Sequence, residues 1–228
     1  MAVVDLAHTP VRKLNAALQA LKGSGQEPWR IANPQGKHAI AAGLQVPVSV
    51  RIEGHVGYYC AGMNQLADVT VSGNAGVGLA ENMMSGSVRI AGDASQSAGA
   101  TGHGGLLVIE GNAAARCGIS MKGIDIVVRG SIGPMSAFMA QAGNLVVLGD
   151  AGENLGDCLY EARLFVRGRV KSLGADCIEK PLEASDRLIL RNLLAKSELS
   201  DRARADEFRL YGSARRLYHF HVDNADAY

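Results

Sequence analysis

Reactive side chains do chemistry only when the chain gathers them, and the spacing of the cysteines, histidines and nucleophile motifs decides whether it does. The cysteines are Cys60, Cys117, Cys158 and Cys177. None stands in a C-x-x-C pair, and no cysteine–histidine group has zinc-site spacing. Such wide spacing fits reduced thiols acting as small buried hydrophobes. His219 and His221 flank Phe220. On a strand both imidazoles would point one way, but two ligands do not complete a metal site, and ordinary packing is the simpler account. A Gly-x-Ser-x-Gly nucleophile elbow is absent. Gly76-Val77-Gly78 lacks the third glycine of a dinucleotide fingerprint, and no Walker lysine motif exists. The sequence therefore predicts no catalytic, cofactor-binding or metal-ligating residue in this chain.

Composition narrows the class. The formal net charge is +1, which argues against nucleic acid or an anionic membrane surface as the main partner. The opening residues lack the apolar stretch of a secretory signal, and no apolar run reaches the ~20 residues of a membrane-spanning helix. A cytoplasmic location is the expectation. Glycine numbers 28 of 228 residues while aromatics make up 5%, a balance that suits a repetitive β architecture.

The repeat has a period of 19 residues, marked by Gly54, Gly73, Gly92, Gly111, Gly130, Gly149 and Gly168. Four residues before these anchors stand Val50, Val69, Val88, Leu107, Ile126, Leu145 and Leu164; two before them stand Ile52, Val71, Ile90, Ile109, Val128, Val147 and Val166. Aliphatics alternating just before a glycine predict a short strand with one buried face, ended by a turn. The position seven after each anchor is always Gly or Ala, from Ala61 to Ala175, which predicts a tight inner corner. One such unit cannot bury its apolar face alone, whereas stacked units share a core. Leucine-rich repeats have a similar period, but their regular leucines and Asn/Cys column are missing. The prediction is an all-β, right-handed, single-stranded parallel β-helix of seven 19-residue coils, roughly 34 Å long at about 4.8 Å per coil. Because Cys158 and Cys177 lie one period apart, they are expected to stack as reduced thiols.

The flanks differ in character. Residues 1–28 read as an N-terminal helical segment, with Thr9 as cap, Pro10 first in the helix and Leu14, Ala17, Leu18 and Leu21 on one face. Residues 29–180 form the β-helix. Residues 181–228 read as a helix over 182–198, a second short helical piece over 202–211 and an aromatic tail. Three before the anchors, Arg51, Thr70 and Arg89 give way to Val108, Val127, Val146 and Phe165. The first three read as solvated. The last four form an outward apolar stripe that something must cover, either the chain's own C-terminal helix or a partner subunit. With Tyr218, Phe220 and Tyr228 of the tail, these four are the candidate partner contacts.

The rod resembles the GXGXG domain, the β-helix at the C-terminal end of the glutamate synthase large subunit. Ile31-Ala-Asn-Pro-Gln-Gly36, Gly99-Ala-Thr-Gly102, Gly111-Asn-Ala-Ala-Ala-Arg116 and Gly149-Asp-Ala-Gly-Glu-Asn-Leu-Gly156 carry the likeness, which extends over residues 29–175. A stand-alone chain with this tail is similar to the GXGXG subunit of N-methylglutamate synthase (methylamine–glutamate N-methyltransferase) and to rhizobial glutamate-synthase-like relatives. The resemblance implies a non-catalytic scaffold in a hetero-oligomer. Its partners would be an amidotransferase-like subunit and a synthase subunit carrying FMN and an iron–sulfur cluster, with no cofactor bound by this chain. The complex would form N-methylglutamate and ammonia from methylamine and glutamate. A glutamate-synthase-like amidotransferase complex of different specificity gives an alternative, as does formylmethanofuran dehydrogenase, one subunit of which shares the domain. A carbohydrate-binding solenoid is more remote, because the rod has few aromatics (Tyr58, Tyr59, Phe138, Tyr160, Phe165) and no recurring acidic cluster.

Overall fold

Alternation before each glycine produces the expected strands. The computed structural model describes residues 1–215. Its strands are β1 (Ala2–Asp5), β2 (Trp29–Ala32), β3 (Ser49–Glu53), β4 (Asp68–Val71), β5 (Ser87–Ile90), β6 (Leu106–Ile109), β7 (Lys122–Val128), β8 (Ala142–Val147), β9 (Arg163–Val166), β10 (Cys177–Lys180) and β11 (Arg209–Ser213). Two α-helices, α1 (Val11–Gln19) and α2 (Ala184–Lys196), join them. Strands β1 to β9 pair in parallel and in chain order. The fold is a right-handed parallel β-helix of about seven turns. From β3 to β9 the pairing advances by one glycine period per coil, as in Val50↔Val69 and Leu145↔Leu164. The first coil is longer, pairing Trp29 with Val50. Inside lie the aliphatics of both columns, with Val50, Ile52, Leu107, Ile126 and Leu164 fully buried.

The glycine column has a sharper cause than turn formation. Each anchor from Gly92 onward donates its N–H to the carbonyl of the anchor one coil earlier, as Gly149 does to Gly130 at 2.9 Å. The residue after each anchor forms a polar ladder. Asn74 N–H donates to His55 Nδ1, Asp93 N–H to Asn74 Oδ1, Asn112 N–H to Asp93 Oδ1, Ser131 N–H to Asn112 Oδ1, Asp150 N–H to Ser131 Oγ and Arg169 N–H to Asp150 Oδ1. A Cβ on Gly149 would lie 2.6 Å from both Gly130 C and Ser131 Oγ. The anchors are glycine because the preceding rung occupies the side-chain position; apart from Gly54, none has the left-handed φ that would demand glycine for conformational reasons.

A second feature repeats with a sequence signature in only one of its three columns. Residues five, seven and nine after an anchor take positive φ, as in Tyr59, Ala61 and Met63, or Met135, Ala137 and Met139. Of these columns only the middle one is confined to Gly and Ala, because its Cβ points inward. A Cβ on Gly99 would meet Ile126 Cδ1 at 2.5 Å.

Both rod ends are closed. At the start, α1 buries Leu14 and Leu18, while Asn15 and Gln19 beside them bond the first coil: Asn15 Nδ2 to Ala39 O, Ala41 N–H to Asn15 Oδ1, and Gln19 Nε2 to Ala42 O. These amides stand in for a preceding coil, whereas Ala17, expected on the buried face, is exposed. Pro10, not Thr9, takes the cap position, and no side chain caps the helix. Strand β1 adds a parallel rung ahead of the helix.

At the far end the period slips. Leu155 pairs with Leu173, so the last coil has 18 residues and Cys158 aligns with Asp176, its N–H donating to Ala175 O. The expected cysteine stack does not form. Cys158 is exposed and Cys177 buried, and the inner-corner position belongs to Gly174 in place of Ala175. The segment expected to be a second helical piece holds one 3-10 turn, Ala205–Glu207, and then β11, which inserts antiparallel between β9 and β10. Its pairing with β9 through Leu210↔Phe165 terminates the parallel ladder.

Candidate functional site

The outer stripe is covered by the chain itself. Val108 is 2% exposed, and Val127, Val146 and Phe165 are fully buried. The last three form a second core with Leu190, Leu193 and Leu194 of α2 and with Leu199, Phe208 and Leu210 behind it. These four residues are thus not available as partner contacts. An apolar strip this wide is worth more to its own chain as a core than as open surface. Tyr218, Phe220 and Tyr228, like His219 and His221, lie outside the described residues.

Arginines from the rod hold α2 in place. Arg163 meets Asp186 at 3.3 Å, and Asp186 completes a capping box with Glu183 at the helix start. Arg89 pairs with Glu110 and donates to the carbonyl of Ser197 at 3.0 Å, just past the helix end, where cations are favoured. Expected to be solvated, Arg89 instead clamps a helix terminus. Arg167 donates to Arg202 O at 2.9 Å and fixes the following segment. Beneath α2, burial raises the Asp125 carboxyl above its ordinary range, while Asn144 Nδ2, donating at 2.7 Å, and nearby Lys196 pull the other way.

The outer side of α2 carries a groove of about 730 Å³ against the Ser200–Asp206 segment. Leu188, 54% exposed, and Ala195 contribute apolar surface, while Arg187, Arg191 and Arg204 bring charge. Arg204 is paired with Asp206 at 2.8 Å, and its hydrogen bond is the main reason the Asp206 carboxyl sits below its ordinary value. Arg187 adds to that effect and donates to Leu182 O. Among the described residues Arg191 has no hydrogen-bond or ion-pair partner. No motif marks this groove, because its two walls come from a helix face and a loop that only folding brings together.

Groups able to do chemistry are dispersed. Among the described residues, no three of His, Cys, Asp and Glu gather as a metal site would require. Burial pushes the Cys60 and Cys117 thiols up to about 12 and Cys177 to about 11, which suppresses the thiolate that reacts. His38 and His55 use Nδ1 to accept the N–H groups of Tyr58 and Asn74 and so serve the coil stack. No helix among the described residues is long and apolar enough to cross a membrane.

Stacked coils and closed ends define a parallel β-helix protein. The chain is 63% identical, over 229 aligned positions spanning 100% of both chains, to Protein GlxC of Rhizobium meliloti (strain 1021). It belongs to the family of that protein. No protein-family profile matches the chain, and no solved structure is significantly similar to it.

Proposed function

We propose that this chain is the non-catalytic β-helix subunit of a glutamate-synthase-like complex. Its coils would hold an amidotransferase-like subunit at fixed distance from a synthase subunit carrying FMN and an iron–sulfur cluster. The observation that carries this reading is the anchor ladder, whose N–H to carbonyl bonds run coil by coil from Gly73 to Gly168, a repeat that resembles that of the glutamate synthase GXGXG domain. Rung-to-rung hydrogen bonding through backbone and side chain makes the rod stiff along its length. Stiffness suits a spacer between two sites that must pass a labile amine or imine without losing it to water. The finer assignment is N-methylglutamate synthase, which joins methylamine to glutamate and releases ammonia.

The test is to isolate the tagged chain from its native cells, identify the chains that assemble with it in fixed stoichiometry, and assay the complex with methylamine and glutamate. The reading requires two further subunits, flavin absorbance on one of them, N-methylglutamate formation by the complex and none by this chain alone. Turnover by the isolated chain, or a pure chain that never assembles with others, would overturn it. A complex that uses ammonia or glutamine in place of methylamine would keep the scaffold role and replace the substrate.

A further inference from the structure

We infer that the groove between α2 and the Ser200–Asp206 segment docks an acidic, amphipathic segment of a partner subunit. The inference rests on the scaffold reading above and names the chemistry of one contact. Three guanidinium groups line the groove against the single carboxylate of Asp206, which leaves an excess of two positive charges. Arg187 and Arg191 are four residues apart on α2, so they project from one side of the helix, with the exposed Leu188 beside them. Arg204 faces them from the other wall. A ligand complementary to this surface carries carboxylates at the rims and an apolar side chain between them.

The stabilising roles of α2 do not account for the groove. Its inner face, with Leu190, Leu193 and Leu194, already covers the rod, and its ends are held by Arg163 and Arg89. Arg191 contributes nothing visible to that packing, and arginine is among the residues enriched at interfaces and their hot spots. The groove is also placed to serve a scaffold. It rides on a helix held at its start by Arg163 of β9 and just past its end by Arg89 of β5, so a partner held there is held rigidly to the rod.

The experiment uses the full chain within the complex isolated from its native cells. Arg191→Glu is compared with Arg12→Glu, the same charge change on exposed α1 at the opposite end of the rod, and with Leu188→Ser. A benzophenone amino acid in place of Leu188 reports the neighbouring peptide. Arg191→Glu and Leu188→Ser should each weaken assembly about tenfold or more, with the effect of Arg191→Glu shrinking as salt rises, while Arg12→Glu matches wild type. Unfolding midpoints should stay unchanged, since both side chains are exposed. The photo-adduct should map to a partner segment of net negative charge with interspersed apolar residues. An intact complex indifferent to Arg191→Glu, or cross-linked at 188 to a basic or uncharged segment or to nothing, overturns the docking site and spares the scaffold reading. A wild-type chain that forms no complex overturns both.

Discussion

Gly149→Ala separates two explanations of the glycine ladder. If the anchors are glycine because a turn needs conformational freedom, alanine should be mild, since Gly149 lacks positive φ. If they are glycine because the rung below fills the side-chain position, alanine must push that rung away. The added Cβ would sit 2.6 Å from Gly130 C, Gly130 O and Ser131 Oγ at once, and two of those atoms are backbone that cannot rotate aside. Forcing one carbon into a packed site costs about 1–3 kcal/mol. The displacement also strains the Gly149 N–H to Gly130 O bond at 2.9 Å and the Asp150 N–H to Ser131 Oγ bond at 3.0 Å, each worth about 1 kcal/mol. The expected loss is about 3–5 kcal/mol. Gly36→Ala is the contrasting case, with φ +71° and nothing within 4 Å of the added carbon, so it should lose only about 1–2 kcal/mol through the left-handed backbone. Denaturant midpoints of the two variants decide the matter. A Gly149→Ala variant no less stable than Gly36→Ala would refute the rung-contact explanation.

Two further outcomes follow from the cover over the outer stripe. Phe165→Ala removes a fully buried ring from the second core and should cost about 3–5 kcal/mol. Limited proteolysis should then cut within residues 182–208 while the coils stay protected, and an unchanged cleavage pattern would contradict the separate packing of α2. Asp125 tests the pH side. Its carboxyl is raised by burial, so the folded chain holds this proton to higher pH than the unfolded chain does. Stability is therefore lost as pH climbs from the unfolded value near 3.8 through the raised folded value. Asp125→Asn should abolish that loss. Its amide can also donate to Asn144 Oδ1, which is buried without a partner, a bond worth about 1 kcal/mol. A variant whose unfolding free energy tracks wild type from acid to neutral pH would show that burial does not govern this carboxyl.

Much of the rod was legible in the chain. A buried strand face forces aliphatics into alternate positions, and stacking identical coils forces that pattern to recur at one period, so Val50, Ile52 and their successors announce both strand and solenoid. The same logic exposed the apolar stripe from Val108 to Phe165, but not what covers it, because two covers of equal hydrophobicity leave the same pattern. The polar ladder was hidden for another reason. His55, Asn74, Asp93, Ser131 and Asp150 share only an acceptor placed to meet the next coil's N–H, and mixed polar residues read as ordinary surface.

By itself, then, the amino-acid order determined the repeat, the parallel strands and the inward columns, since each is a local periodicity tied to burial. Tertiary contact alone decided the rest. Arg209–Ser213 became a strand because β9 and β10 offered it a place between them, not because of its own residues. The slip from Ala175 to Gly174 came from how the last coil closes. The arginine-lined groove exists only because the chain after α2 turns back along it. In the first two cases the deciding partner lies a coil or more away in sequence, and in the third it follows directly but takes its place only when the chain folds back, so no local periodicity carries its position.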